Sequence, residues 1–438
     1  MPEINYKNPA SRRVYEGYIN DINTLPVSFK YNGEAFSGFD RDIFTLISES
    51  HSEKGERDEN VFVLKDADGL TVTVRTAYYE NYGAYEWTVT FYNGGSENSG
   101  IISDFTAADI CFYGEDPILR GILGDHENLY KPYESKLSEG NVNHKSVTGK
   151  PTHKYFPYYN LEYGGGGVMT AIGWGGTWEA EFAAINGGAR FTASGTNGLC
   201  TYLKPGESIR SPLMLFIPYA VRDESYAVNL WRSWYVNCNM PHLNAQGDIL
   251  KPFSTTFIAG DTGLPNSDGS ISERHFTWRP SLEKMLDENI KPDYRWFDAG
   301  WYFDPYGKTV ESDWWGTVGG WEFDTEKWPG ESFRESTDFA REHGMKTFIW
   351  FEPERVTHVD GLIKNYGYKA EWSLPGSKEV TANNIGDADC LKWTAGRIIS
   401  VMEKQGADMY REDNNYYPAE CWAAADEKEG PGDRKSVV

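Results

Sequence analysis

Through the first half of the chain, apolar residues recur at every second position. Leu70, Val72 and Val74 alternate with threonines, and Trp87, Val89 and Phe91 repeat the pattern after the polar turn Glu80–Tyr82. That period predicts an antiparallel pair with one buried face. Val61–Leu64, Val168–Trp174, Trp178–Ala183 and Leu213–Ile217 extend the series. No long amphipathic helix interrupts it, so residues 1 to about 220 read as one large β-sandwich. The glycine run Gly164–Gly167 lacks the Lys-Ser or Lys-Thr of a phosphate loop and reads as a hairpin turn.

The texture then changes. Asp223 can cap a helix running to about Tyr235, with Val228, Trp231 and Trp234 on one side, and a polar connection leads to Pro252. From Lys251 onward strand and helix patterns alternate. Phe253–Ala259 reads as a strand, Ser281–Asn289 as a helix and Tyr294–Ala299 as a strand. Ser332 and Glu335 form a capping box for a helix ended by Gly344, and Thr347–Phe351 is a buried strand. Asp387 caps a helix with Leu391, Ala395, Ile398 and Met402 at helical spacing before Gly406. Such alternation predicts parallel βαβ units with long loops after the strands.

The reading is therefore multi-domain, β followed by α/β: a sandwich over 1–235, a linker over 236–250 and a partial barrel over 251–432. Four barrel strands are visible where an eight-stranded barrel takes about 250 residues, so about half of one is expected. The segment 433–438, after a Gly-Pro-Gly turn, reads as an added tail on a truncated frame, a short natural C-terminus being the alternative.

Charge narrows the function classes. A net charge of −23 disfavours nucleic acid and anionic membranes as partners. Aromatics make up 15% of the chain, with 16 Trp, and flat apolar rings suit the weakly polar faces of sugars, although most of them are expected in the core. Cys111, Cys200, Cys238, Cys390 and Cys421 show no paired spacing, so neither a disulfide framework nor a zinc site is expected. His275, His343 and His358 have no metal-ligand spacing, and no cofactor is called for. The N-terminus lacks an apolar signal region, from which a cytoplasmic location is expected.

Candidate chemistry gathers where apolar runs break into carboxylates and aromatics: DYRWFDAGWY from Asp293, KTFIWFEPER from Lys346 and GADMYREDNN from Gly406. In a parallel barrel the C-terminal strand ends carry the site. Asp413 stands at such an end. Arg411, two residues earlier, shares its side of the strand and can keep it ionised, whereas Glu412 points the other way. An ionised carboxylate of this kind suits attack on an anomeric carbon, with a second carboxyl about 5 Å away protonating the leaving oxygen. Asp298 can accept from paired sugar hydroxyls, and Trp350 or Trp321 can cover a ring's apolar patch. Glu352 and Glu354 either support the site or touch sugar. The plainer alternatives are a structural Asp413–Arg411 ion pair and a strand-end cap at Asp298.

WFEPER at Trp350–Arg355, FDAGWY at Phe297–Tyr302 and YREDNN at Tyr410–Asn415 together resemble the melibiase-like α-galactosidases of glycoside hydrolase family 36. The resemblance covers nearly the whole chain. It implies an N-terminal β-supersandwich, then a (β/α)8 TIM barrel of which the first four units are present. It also implies Asp413 as the nucleophile of a retaining mechanism, and a general acid/base in a Ser-Gly-Gly segment beyond this sequence. Arg411 and Asn415 align with the family's basic residue and amide, while Glu412 replaces a Trp. Asp298-Ala299-Gly300-Trp301 keeps one of the two carboxylates that grip galactose O4 and O6, which points to a divergent Asp-Ala-Gly-Trp subgroup with relaxed specificity. The implied partner is an α-galactoside oligosaccharide. The alternatives are an α-N-acetylgalactosaminidase, another α-hexosidase or transglycosidase, or a non-catalytic sugar-binding fragment. Homo-oligomeric assembly of a full-length form stays open, and the chain as written is expected to be inactive.

Overall fold

The computed structural model describes residues 6–39, 42–126, 129–146, 148–195, 199–241, 243–244, 246–257, 278–306, 314–323, 334–375, 381–429 and 433–434. Two compact units emerge, Met1–Pro241 with Ala425–Val438, and His242–Ala424.

In the first unit the alternating segments become two antiparallel sheets, of ten and eight strands among the described residues. Thr45–Lys54, Arg57–Lys65, Leu70–Tyr79 and Ala84–Asn93 form a meander that continues through Leu213–Tyr219 and Gly166–Gly173. Ile102–Tyr113 and Gly188–Ser194 are central in the other sheet. Inward residues of both sheets share one aromatic core, in which Phe216 stacks on Trp87 at 5.2 Å and also meets Phe112 and Phe191. This is the expected sandwich. Gly164 and Gly165 make the expected hairpin, with Tyr163 paired to Gly166 and Gly164 at φ +53°, a conformation that favours glycine.

The helix after Asp223 spans Glu224–Trp234, and the Asp223 carboxylate accepts from Tyr226 N–H at 2.9 Å. Its buried face is Ala227, Leu230 and Trp234, packed on the outer side of the ten-stranded sheet, and not Val228, which is exposed.

Among the described residues, the second unit contains four parallel strands whose spatial order follows the sequence: Thr255–Phe257, Tyr294–Phe297, Lys346–Phe351 and Met409–Glu412. Helices Trp278–Asp287, Arg334–Glu342 and Ala388–Gln405 lie between them in the chain. Ile258, Ala259, His275 and Ser332, part of the sequence expectation, fall outside the described residues. Asp387 caps the last helix by accepting from Asp389 and Cys390 N–H at 2.9 Å, and Gly406 ends it at φ +70°. The buried stripe of that helix is Cys390, Thr394, Ile398, Val401 and Gln405, whereas Leu391 is exposed. The apolar series misplaced the face because two polar residues, Thr394 and Gln405, go inside, and Thr394 Oγ1 accepts there from Asn383 Nδ2 at 2.9 Å.

Candidate active site

Three strand ends deliver the site. The fourth strand alternates, with Tyr410 and Glu412 exposed and Met409 and Arg411 turned partly inward, so Asp413 follows Arg411 on the inner side. The Glu412 carboxylate, on the other side, accepts from Tyr410 Oη at 2.8 Å. Asp413 N–H donates to the Phe351 carbonyl at 2.8 Å, which ties its backbone to the end of the third strand.

Donors converge on the Asp413 carboxylate. Its Oδ2 accepts from Trp350 Nε1 at 2.8 Å and from Asn415 Nδ2 at 3.0 Å, and Arg411 Nη1 lies 3.3 Å away. Among the described residues, its Oδ1 accepts the Asn414 N–H alone, at 3.0 Å. Burial alone would push this acid up. The Trp350 and Asn415 hydrogen bonds, the Arg411 charge and the Asn414 N–H outweigh it and hold Asp413 below the ordinary carboxylate range. Arg411 is aimed by stacking, with Cζ 4.9 Å from the centre of the Trp296 ring.

Asp298 follows the second strand and behaves in the opposite way. Burial raises it above its ordinary value, against the Ala299 N–H at 2.8 Å and the Arg411 charge, and the negative Asp413 raises it further. Two carboxylates therefore share one cation and differ in proton affinity, the arrangement that lets a site hold one charged and one more readily protonated acid.

Trp350 and Trp321 are 0% and 1% exposed, so neither presents a ring face to solvent as the sequence pattern implied. Trp350 is spent instead on its hydrogen bond to Asp413. Trp321 meets this group through the Trp350 ring, 6.2 Å away, and its backbone sits at φ +49°, strained for a bulky residue. Two neighbours fix Trp350: Trp301 Nε1 donates to its carbonyl at 3.0 Å, and Tyr302 stacks on its ring at 6.0 Å and 16°.

One feature was read from the sequence only as one of two alternatives, and another escaped it. Glu352 and Arg355, 0% and 1% exposed, form an ion pair at 2.6 Å, and the other Glu352 oxygen accepts Asn415 N–H at 2.8 Å. Glu352 therefore positions the loop that carries the amide on Asp413, and the Glu-x-x-Arg spacing was its available signal. Glu354 accepts from Asn414 Nδ2 at 3.1 Å, a second support. The other feature is Trp314 and Trp315, 38% and 39% exposed. The Trp314 carbonyl accepts from Tyr302 Oη at 2.9 Å and its ring meets Trp350 edge-on at 6.1 Å. The Trp315 carbonyl accepts from Arg355, whose Cζ lies 3.9 Å from the centre of the Trp315 ring. Exposed indoles pinned by buried groups are what a sugar-stacking surface requires.

No protein-family model and no curated protein sequence matches the chain. Solved structures do. A substituted form of the GH36 α-galactosidase AgaA from Geobacillus stearothermophilus, in complex with stachyose, superposes with a TM-score of 0.65 at 17% identity, covering 90% of this chain and 53% of that one. The galactosidase domain of the α-galactosidase–sucrose kinase AgaSK gives 0.66 at 16% identity over 100% and 62%. The α-galactosidase from Lactobacillus brevis gives 0.66 at 13% over 90% and 53%. The chain spans between 53% and 62% of the length of these proteins. At such identities the likeness is one of fold: this chain has the fold of GH36 α-galactosidases over nearly its whole length.

Proposed function

We propose that the chain carries the sandwich and the first four βα units of a retaining glycoside hydrolase that removes terminal α-linked galactose, with Asp413 as nucleophile. The observation that carries the reading is the Asp413 carboxylate at a parallel strand end, held ionised by an indole, an amide and a guanidinium. Oδ1, which accepts a backbone N–H but none of the side-chain donors crowding Oδ2, is the more nucleophilic oxygen. It attacks the anomeric carbon as the bond to the leaving oxygen breaks, with the electron pair departing on that oxygen. Water then displaces Asp413 from the same carbon, and two inversions give retention. Arg411 and Asn415 keep the carboxylate charged and aimed, and Asp298 offers an acceptor to sugar hydroxyls. Trp314 and Trp315 replace Trp321 and Trp350 as the surface for the sugar's apolar face.

The experiment uses 2,4-dinitrophenyl α-galactoside, whose leaving group needs no protonation, so it probes Asp413 without a general acid. Mass spectrometry of the digested protein is expected to find galactose bound to the peptide containing Asp413. The Asp413→Ala variant is expected to release less than about a hundredth of the wild-type dinitrophenolate, as loss of a covalent nucleophile does. An adduct on another carboxylate, or none, overturns the assignment. One observation favours a broader substrate range. Ala299 is buried where a second acidic partner would stand, so discrimination between α-galactoside and α-glucoside is expected to fall below the roughly 10⁴-fold that a full set of polar partners gives.

A further inference from the structure

A second cleft lies on the helix Ala388–Gln405. It is open and shallow, about 400 Å³ bordered by Lys369, Trp372, Asp389, Lys392, Trp393, Gly396 and Arg397. None of the groups that hold Asp413 lines it.

The floor is a fixed aromatic plate. Trp393 is half-buried, its Nε1 donates to the Tyr366 carbonyl at 2.8 Å, and Tyr368 and Trp372 back it at 5.1 and 6.1 Å. The charges around it are largely matched. Lys369 Nζ is 3.3 Å from Asp389 Oδ2, and Arg397 holds the Gly320 carbonyl and, at 3.0 Å, Glu322. Lys392 is exposed, with no ion-pair or hydrogen-bond partner among the described residues. A flat apolar surface rimmed by the donors Lys369, Lys392 and Arg397 and the carboxylate acceptor Asp389 suits a ring with an apolar face and a hydroxyl edge, which is a pyranose.

Gly396 adds an independent observation. A Cβ there would meet nothing within 4 Å, so close packing does not require glycine, and mid-helix glycine weakens a helix. It stands three residues after Trp393, and a side chain at that position leans back over the indole. The helix forgoes stability where a side chain would cover the plate.

We propose that this cleft is a second carbohydrate site, seating one pyranose of a neutral polysaccharide on Trp393, apart from the Asp413 centre. Native electrophoresis of the full chain through gels containing soluble galactomannan tests it. The parent, the Asp413→Ala variant and a Trp314→Ala/Trp315→Ala variant are expected to be retarded alike, which separates this proposal from sugar binding at the Asp413 centre. Trp393→Ala is expected to lose at least tenfold in retardation-derived affinity. Gly396→Gln is expected to lose as much while its Tm stays level or rises, because glutamine favours helix, so failure to fold cannot imitate the result. No retardation of the parent, or parental retardation of either cleft variant, overturns the proposal.

Discussion

Asp413 shows how a single residue's environment sets its chemistry. Its lowered pKa means that the ionised form persists as pH falls, until the pH passes through the folded value, and both reactivity and the stability tied to these donors are lost below it. Replacing Arg411 with Met removes one lowering influence, so the acidic limb of the kcat/KM–pH profile on the dinitrophenyl substrate is expected to move to higher pH. The Trp350 Nε1–H resonance should titrate with Asp413 in NMR spectra and report the same shift without substrate. Glu352→Gln leaves the Arg355 charge buried and unpaired, and chemical denaturation is expected to show a loss of about 3–5 kcal/mol. At this scale the sequence named Asp413, Arg411 and Asn415, which the structure brings together, and Asp298, which senses their charges. Residue type could not say which indoles stay exposed: Trp350 and Trp321 are buried by rings that arrive from distant positions, and Trp314–Trp315 sit in a segment without periodicity.

Elements were legible wherever a local rule dominates. Alternation located the sandwich strands, and caps located the helix ends at Asp223, Asp387 and Gly406. Asp387→Ala is expected to cost about 1 kcal/mol in thermal denaturation by freeing two N–H groups. Gly406→Ala is expected to cost about 1–2 kcal/mol, since φ is +70° and the Arg334 guanidinium lies 3.0 Å from where the added methyl carbon would stand. Helix faces were less legible. Hydrophobicity favoured Leu391 and Val228, whereas burial in the longer helix follows a row in which Thr394 finds a partner in Asn383, and that depends on a neighbour outside the helix.

For the whole molecule, the change from alternating to βαβ texture near residue 250 is legible because the two units solve burial differently. Each has its own core, and that of the first lies within Met1–Pro241, so residues 1–241 expressed alone are expected to unfold cooperatively. Its acid response has an identifiable source. His144 stacks on Tyr155 at 3.8 Å, and burial lowers its pKa from 6.5 to about 4. The unfolded chain therefore binds a proton that the folded unit refuses between those values. Stability should fall by up to about 3 kcal/mol as pH drops from 6.5 to 4, and His144→Gln should flatten that part of the profile in thermal scans. The order of pairing along the chain has a kinetic consequence. In the meander, Lys54 pairs with Arg57, Lys65 with Thr71 and Tyr79 with Ala84, so each strand needs only a short loop to close. In the parallel sheet, Thr255 waits for Tyr294, Tyr294 for Lys346 and Phe348 for Met409. Long closures lose more chain entropy before any contact repays it, so they form late. Pulsed amide exchange during refolding should protect the Thr45–Asn93 meander before the strands Tyr294–Phe297 and Lys346–Phe351, and the reverse order would contradict this. The carboxylate at Asp413 would then be among the last groups to reach its partners, and every nascent chain would pass through a stage with a folded sandwich and no assembled site.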